Sequence, residues 1–241
     1  MTSARAVFNF CWTTGLTGAM SGWALTQQVL RSDRARFHQQ ERRWARWVAR
    51  GTGIEVETHG LEHLDGGGPF VLMANHQSHV DIVALFNALP MVPGFLAKAE
   101  LRRIPVFGRA MAAGGHVFVE RGEHARAVAA IDEAAASIRD GATIVIFPEG
   151  TRSRRREVMP FKKGGFHLAM LAGVPIVPIG LRGTADILPK HDVALLPGRC
   201  EVHVGAPIPP QGQELDALVD RTHAAVCALA ALPAAPDRSG A

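Results

Sequence analysis

A histidine and an aspartate five residues apart, His76 and Asp81, could together form a catalytic acid–base pair. On one helix this spacing would put their side chains roughly 140° apart, so they could not touch. If His76 instead precedes the helix and Asp81 lies in its first turn, the carboxylate can meet one imidazole nitrogen. The other nitrogen could then act as a general base. A simpler alternative is that Asp81 only favours the helix N-terminus and His76 only binds nearby backbone groups.

Two further stretches place polar side chains at the ends of predicted strands. The first is the apolar segment 115–119, which leads through Glu120 to Arg121. The second is the turn formed by Glu149, Gly150, Thr151 and Arg152. Guanidinium groups bind phosphate oxygens with paired donors, and a hydroxyl and a backbone amide can add neutral donors. The two stretches therefore predict an anion pocket, although Glu149 could instead pair with Arg152 and only fix the turn.

The surrounding segments predict an α/β domain, because short apolar runs alternate with helical patterns from Ile54 onward. The predicted strands are Ile54–His59, Phe70–Ala74, Gly94–Ala97, His116–Val119, Thr143–Phe147, Ile176–Leu181 and Glu201–Val204. The predicted helices are Val80–Ala88, Pro105–Ala113, Glu123–Asp140, Gly164–Leu171 and Leu215–Leu229. His76 then lies between a strand and a helix, as contact with Asp81 requires. Pro175 and Pro178 favour an edge or irregular position for the sixth strand.

The first 50 residues differ from the rest of the chain. No charged residue occurs from Ala6 to Leu30, but several asparagine, threonine and glutamine residues make this run a poor membrane-spanning helix. From Asp33 to Arg50, Trp44 and Trp47 recur among arginines, as they do in helices that lie on a membrane surface. The alternatives are that this aromatic face packs against the domain or that the helix binds nucleic acid. We predict that residues 1–50 form a helical anchor lying in one membrane leaflet.

Length and composition favour one catalytic domain with short appendages. The 241 residues can bury a full core, and we expect a domain at 51–231 and a loose C-terminal tail at 232–241. The formal net charge of +4 suits an anionic membrane surface or a phosphorylated substrate as well as it suits nucleic acid. Cys11, Cys200 and Cys227 lack the spacing of a disulfide framework or a zinc site.

The order of the motifs resembles that of a known family, the bacterial 1-acylglycerol-3-phosphate acyltransferases. The matching blocks are His76-x4-Asp81, the strand ending at Arg121, Phe147-Pro148-Glu149-Gly150-Thr151-Arg152 and Val174-Pro175-Ile176-Val177-Pro178. The segments 98–101 and 160–164 are also similar. The resemblance covers about residues 60–205, and four blocks in order are specific where one alone would be weak. It implies a glycerol-phosphate acyltransferase-like domain with a central mixed sheet flanked by helices.

The same resemblance implies a role for each motif residue. His76 would be the catalytic base and Asp81 its partner. The acceptor's phosphate would be surrounded by Arg121, Glu149, Gly150, Thr151 and Arg152. Lys98 and Lys162 would be further possible contacts to substrate. Glu120 stands where the family more often has aspartate, which keeps the acidic character of the position.

The implied reaction moves an acyl chain from a thioester of coenzyme A or acyl carrier protein to the sn-2 hydroxyl of lysophosphatidate, giving phosphatidic acid. Because a thioester is already activated, we expect no metal, no cofactor and no serine or cysteine nucleophile. The expected partners are these substrates and anionic membrane lipids, without nucleic acid, at the cytoplasmic face of a bacterial inner membrane. One alternative is a related acyltransferase with another glycerolipid acceptor. The other is a non-enzymatic basic protein that binds membrane or nucleic acid through residues 33–50.

Overall fold

A computed structural model describes residues 4–29, 34–120 and 124–235 of the chain. Its helices are α1 (Ala4–Val29), α2 (Arg34–Thr52), α3 (Val80–Ala88), α4 (Phe107–Ala113), α5 (His124–Arg139), α6 (Gly164–Ala172), α7 (Thr184–Ile187) and α8 (Leu215–Ala230). Its strands are β1 (Ile54–His59), β2 (Val71–Ala74), β3 (Gly94–Lys98), β4 (Val117–Val119), β5 (Ile144–Ile146), β6 (Ile176–Arg182) and β7 (Gly198–Val204). The seven predicted strands are confirmed, with ends that differ by up to three residues.

The strands form one sheet in the order β1-β7-β6-β2-β5-β3-β4. Neighbouring strands are parallel except β6 and β7, which run antiparallel, so the predicted mixed sheet is confirmed. The central strands β2 and β5 are buried along their whole length. Their unbroken apolar sequences follow from this burial, because helices cover both faces of the sheet.

Each face of the sheet carries its own apolar core. Leu72 of β2 packs on one face with residues of α2 and α3, including Val48 and Val83. Its neighbour Val71 points to the other face and packs with residues of α5, α6 and α8. The alternation along β2 is that of a strand whose successive side chains point to opposite faces. The fold therefore has three layers, with the sheet between two groups of helices.

The prediction that β6 lies at an edge of the sheet was wrong, because β6 pairs with both β2 and β7. Proline is tolerated there because Pro178 lies just before the β6–β7 ladder begins at Ile179. Its carbonyl still accepts a hydrogen bond from Gly205 N, at 2.9 Å. The N–H that proline lacks would lie just outside the residue pairs of this ladder, so no ladder hydrogen bond is lost.

The helices α1 and α2 pack on each other and on the domain. Asn9 of α1 is fully buried and donates to the carbonyl oxygens of Thr52 and Leu195. Trp44 of α2 donates to Thr17 Oγ1, at 3.0 Å, and its ring meets Phe86 of α3 edge-on. The predicted helices are therefore present, and the aromatic face of α2 largely packs inward. Among residues 4–29, 34–120 and 124–235, no helix has both the length and the apolar character needed to cross a bilayer.

The C-terminal residues are partly held by the domain. Val158 N donates to Pro233 O at 2.9 Å, and Ala235 N donates to Val158 O at 2.8 Å. Pro233 and Ala235, which belong to the predicted loose tail at 232–241, are thus held against the domain. Residues 236–241 lie outside the described part of the chain.

Candidate active site

The candidate site lies where β2 and β5 end side by side. The chain leaves β2 for α3 on one face of the sheet and, after β5, reaches α6 on the opposite face. A crevice forms at such a point, outside the carboxyl ends of parallel strands, and ligands of α/β proteins commonly bind there. The residues after β2 include His76, and those after β5 run from Phe147 to Arg152. The fold thus joins motifs that are more than 70 residues apart in sequence.

His76 and Asp81 are in contact across the turn between β2 and α3. The His76 Nδ1 and Asp81 Oδ2 atoms are 2.7 Å apart. A carboxylate on Nδ1 favours the tautomer in which Nδ1 carries the proton and Nε2 is free to accept one. The imidazole is mostly buried but retains 17% of its side-chain exposure, and it lines a cavity through which a substrate could reach it. The predicted strand-to-helix arrangement of the pair is confirmed.

Asp81 is fully buried and also closes the turn that carries His76. Its Oδ2 atom accepts hydrogen bonds from Gln77 N, at 2.9 Å, and from Ser78 N, at 3.0 Å. Charged acceptors bind backbone N–H groups strongly, and the first turn of α3 favours a negative charge. The carboxylate therefore fixes both the ring and the backbone beside it.

Asn75 and Phe147 support His76, and neither was predicted to be a functional residue. The buried Asn75 side chain donates to Leu181 O and accepts from Leu181 N, which ties the end of β2 to β6. The Phe147 ring stacks on the imidazole with a centroid separation of 4.0 Å. For Asn75, the only sequence signal was that it adjoins His76. Phe147 meets His76 because β2 and β5 are neighbouring strands, which the sequence does not reveal.

Glu149 is buried beside His76, where it binds backbone rather than a cation. Its Oε1 atom accepts from His76 N at 2.6 Å, and its Oε2 atom accepts from Met159 N at 3.0 Å. Burial raises the pKa of Glu149 to about 7, while these two hydrogen bonds act to lower it. The contact to His76 N makes Glu149 a positioning residue for the imidazole, since it holds the backbone from which that ring projects.

Arg152 approaches the same site from the turn after β5. Its guanidinium is partly buried and lines the cavity together with Gly150 and Thr151. Burial lowers the pKa of Arg152, and the nearby Asp81 carboxylate opposes this effect. Burial also lowers the pKa of His79, with Arg152 and His76 as further causes, so His79 favours the neutral form. Arg152 thus supplies a positive charge close to His76 and Asp81.

The turn from Gly150 to Ser153 is held by several contacts. Ser153 N donates to His76 O at 2.7 Å, which joins the two functional turns directly. Lys190 donates to the carbonyl oxygen of Arg152 and lies 3.4 Å from Thr151 Oγ1. Gly150 has φ of +72°, and a Cβ atom there would meet the Lys162 side chain at 3.0 Å. The left-handed backbone conformation therefore favours glycine at this position, whereas the flexible Lys162 side chain could move aside.

The other predicted site residues lie further out or outside the described chain. Arg121 is not among the described residues, although β4, which leads to it, ends at the same edge of the sheet as β2 and β5. Lys98 is exposed, pairs with Glu100 at 2.8 Å and lines the cavity. Lys162 is exposed, and the end of its side chain lies over Gly150.

A cavity of about 730 Å³ extends from His76 into the space between the sheet and the N-terminal helices. Its wall near the site includes His76, Phe147 and Arg152. Further inside it is formed by apolar side chains of several elements, including Met20, Phe37, Val83, Phe86, Phe95 and Met111. The cavity therefore has a polar mouth and a mainly apolar interior. Such a shape suits a molecule with a charged head and a hydrocarbon chain.

A comparison with protein families assigns the domain that carries this site. The family model described as Acyltransferase matches residues 55–182. The chain belongs to the acyltransferase family. The matched region contains His76 and Asp81, the turn after β5 and the central strands. Membership of the acyltransferase family, which the motifs predicted, is confirmed.

This acyltransferase is similar to proteins named 1-acyl-sn-glycerol-3-phosphate acyltransferase. It is 37% identical to the alpha enzyme of Ovis aries and 36% identical to that of Homo sapiens, in each case over 175 residues and 70% of this chain. It is 35% identical over 145 residues to the Saccharomyces cerevisiae enzyme, covering 58% of this chain and 48% of the yeast protein. The chain spans about 60% of the length of the two mammalian relatives.

A solved structure resembles the acyltransferase over nearly its whole length. The 1-acyl-sn-glycerophosphate acyltransferase PlsC from Thermotoga maritima aligns with a TM-score of 0.77 and 26% sequence identity. The alignment covers 93% of this chain and 94% of the other. The α/β architecture with its mixed sheet is therefore shared with that enzyme.

Proposed function

We propose that this protein transfers an acyl chain from an acyl thioester to the sn-2 hydroxyl of 1-acylglycerol 3-phosphate, giving phosphatidic acid. The observation that carries the proposal is the 2.7 Å contact between His76 Nδ1 and Asp81 Oδ2 at the mouth of an apolar cavity. The names of the mammalian, yeast and Thermotoga relatives support the choice of acceptor.

In the proposed reaction, His76 Nε2 removes the proton from the acceptor hydroxyl as its oxygen attacks the thioester carbonyl carbon. Asp81 stabilises the imidazolium that results, because its carboxylate is buried and already hydrogen-bonded to the ring. The tetrahedral intermediate then expels the thiolate, which takes the proton. The thiolate is a good leaving group, so transfer can be direct, without an acyl-enzyme intermediate.

The acceptor's phosphate would bind at the cavity mouth beside Arg152. The guanidinium there offers paired donors, and Thr151 and the backbone of Gly150 lie on the same turn. By the family resemblance, Arg121 would add a second guanidinium. Anchoring the phosphate fixes the hydroxyl beside His76 and so lowers the entropic part of the barrier.

The hydrocarbon part of a substrate would lie in the apolar interior of the cavity. Its wall is built from α1, α2, α3, α4 and β3, so the two N-terminal helices belong to the substrate site as well as to the surface. Burying methylene groups there is favourable by about 0.8 kcal/mol each. The donor would be acyl-CoA or acyl carrier protein.

The same two helices would hold the protein on a membrane. α1 exposes Val7, Phe8, Phe10, Trp12 and Trp23, and α2 exposes Trp47. Exposed aromatic side chains beside the arginines of α2 are typical of helices that lie at a lipid surface. The substrate and product are lipids, so the corresponding location is the cytoplasmic face of a bacterial inner membrane, with anionic lipids as partners.

The function is tested by following thiol release from acyl-CoA in the presence of a panel of acceptors. The panel contains lysophosphatidate, glycerol 3-phosphate and lysophospholipids with larger head groups, and the same acceptors are tried with acyl carrier protein as carrier. Lysophosphatidate should give the highest kcat/KM, with phosphatidic acid as product. Preference for another acceptor would reassign the substrate, and thiol release from none of the combinations would refute the proposed activity.

A further inference from the structure

Strands β1 and β7 carry a cluster of side chains that can bind a metal ion. His59 of β1 is the register partner of His203 on β7, and Glu201 precedes His203 by two residues. Register partners on adjacent strands, and residues two apart on one strand, point to the same face of a sheet. The three side chains therefore project together from one face.

This cluster is separate from the crevice that holds His76. His59 ends β1, and His203 lies one residue before the end of β7. Because β1 and β7 run opposite to β6, their carboxyl ends lie at the other end of the sheet from those of β2 and β5. The cluster also points away from α2 and α3, since Val202 and Val204, which alternate with its residues along β7, pack in the core beneath those helices.

The possible ligand atoms of the cluster converge. One nitrogen or oxygen atom from each of His59, Glu201 and His203 lies within 4.8 Å of the other two. His203 Nε2 and Glu201 Oε2 are 2.6 Å apart, and the two imidazole rings stack with a centroid separation of 4.5 Å. In a tetrahedral zinc site, bonds of about 2.1 Å place the ligand atoms about 3.4 Å from one another. The His59 side chain is 45% exposed, so its ring can turn out of the stack and direct a nitrogen to a shared ion.

The ligand types and nearby charges favour a transition-metal ion over Ca²⁺ or Mg²⁺. The hydrogen bond with His203 lowers the pKa of Glu201, so the carboxylate is charged at neutral pH. Arg182 Nη1 lies 3.7 Å from this carboxylate, and Arg199 pairs with Glu57 at 2.5 Å. The two arginines and two glutamates balance each other in charge, which gives a hard cation little electrostatic advantage. Two imidazoles and one carboxylate are ligands of zinc and similar ions, whereas Ca²⁺ and Mg²⁺ prefer oxygen atoms.

We propose that His59, Glu201 and His203 bind one zinc ion or a similar divalent transition-metal ion. Three protein ligands leave one position of a tetrahedron for a water molecule. The ion would take the place of the proton between His203 and Glu201 and would join β1 to β7. Because β1 stands at the end of the strand order and directly follows α2, a wall of the substrate cavity, the ion would stabilise the fold at that wall.

Zinc titration of the full-length protein tests this site without reference to acyl transfer. The protein is treated with EDTA, dialysed and then titrated calorimetrically with zinc chloride at neutral pH. One ion should bind per chain, and Tm should rise by about 5 °C or more when free zinc exceeds its Kd about a hundredfold. A large excess of magnesium should not displace the zinc, because Mg²⁺ prefers oxygen ligands. Absence of saturable zinc binding, or displacement by magnesium, would overturn the proposal.

Two variants, His203→Ala and His59→Ala, each remove one ligand. Either should weaken zinc binding by about a hundredfold or more, because even the loss of an outer partner of a ligand costs about ten- to a hundredfold. The matched control is His167→Ala, which removes an exposed histidine of α6 and should bind zinc as the wild type does.

The His59→Ala variant decides the matter if His203→Ala fails to fold, since the His59 side chain is 45% exposed and contributes little to packing. Circular dichroism checks that each variant is folded. Unchanged zinc affinity in folded His59→Ala would place the ion elsewhere and would overturn the proposal.

Discussion

At the scale of single residues, the site depends on buried carboxylates that bind backbone as well as side chains. Asp81 bonds the His76 ring and two N–H groups of the turn, and Glu149 bonds the backbone N–H of His76 and of Met159. The imidazole is therefore fixed from two directions. Orientation of this kind keeps a general base within reach of its proton without further rearrangement.

The raised pKa of Glu149 predicts a pH-dependent contribution to stability. The carboxyl binds its proton more tightly in the folded protein, with a pKa of about 7, than in the unfolded chain, where it is 4.5. Its contribution is therefore fully present below pH 4.5 and is lost as the pH rises through 7. The unfolding free energy of the wild type minus that of Glu149→Gln should fall by on the order of 3 kcal/mol over this range. Urea denaturation at several pH values measures it, and a difference that does not change with pH would contradict the assignment.

Arg152→Ala should weaken the acceptor more than the donor. The guanidinium lies at the cavity mouth, and its loss removes a phosphate partner, so the KM for lysophosphatidate should rise about tenfold or more. The KM for acyl-CoA should change much less. Arg139→Ala is the control, since it removes the same charge from an exposed position on α5. Equal increases in both KM values would argue against a phosphate at Arg152.

At the scale of elements, α1 and α2 present aromatic side chains outward while their inner faces line the cavity. Phe8 and Trp23 of α1 are 52% and 59% exposed. Replacing both with glutamine should weaken binding to anionic vesicles by at least roughly tenfold, because each aromatic ring buries apolar area in the lipid. The melting temperature should stay close to that of the wild type, since neither side chain belongs to a core.

Vesicle co-sedimentation measures this prediction, with Val128→Gln as the control. Val128 is an exposed apolar residue of α5, on the opposite face of the sheet from α2. Its replacement should leave vesicle binding unchanged. If the Phe8 and Trp23 double variant sedimented as well as the wild type, the membrane contact would have to lie elsewhere.

The secondary structure was largely predictable because its signals are local. Short apolar runs marked all seven strands, and helix α3 begins and ends at the predicted residues. The start of β7 was missed by three residues, because Gly198 and Arg199 belong to a strand only through their pairing with β1. The central position of β6 was missed for the same reason. The composition of a segment does not show which distant segment it pairs with.

The candidate site was predictable to a similar extent. The contact of His76 with Asp81 spans five residues, so its geometry followed from a strand, a turn and a helix start. The partners of Glu149 could not be foreseen, since one of them is a backbone group 73 residues away. Likewise, the pair formed by Glu41 and His116 joins residues 75 positions apart and has no sequence signature.

At the scale of the whole molecule, the N-terminal helices and the sheet form one packed body. Ala45, Val48 and Ala49 of α2 are buried in the core that covers one face of the sheet. A chain beginning at Gly53 would expose this core and lose the partner of His116. It should therefore melt well below the full chain or fail to fold, and the full chain should unfold in a single transition. Calorimetry distinguishes this from two independent transitions, which would show that residues 1–50 are a separate unit.

The proposed reaction depends most on His76 as the base that Asp81 orients. The most direct measurement is therefore the rate of thiol release by purified His76→Ala with acyl-CoA and lysophosphatidate, compared with His167→Ala, in which an exposed histidine of α6 is removed. Circular dichroism should show that both variants are folded. We expect kcat to fall by at least about a hundredfold for His76→Ala, because a general base is lost, and to stay normal for the control. A folded His76→Ala protein that turns over at close to the wild-type rate would contradict it.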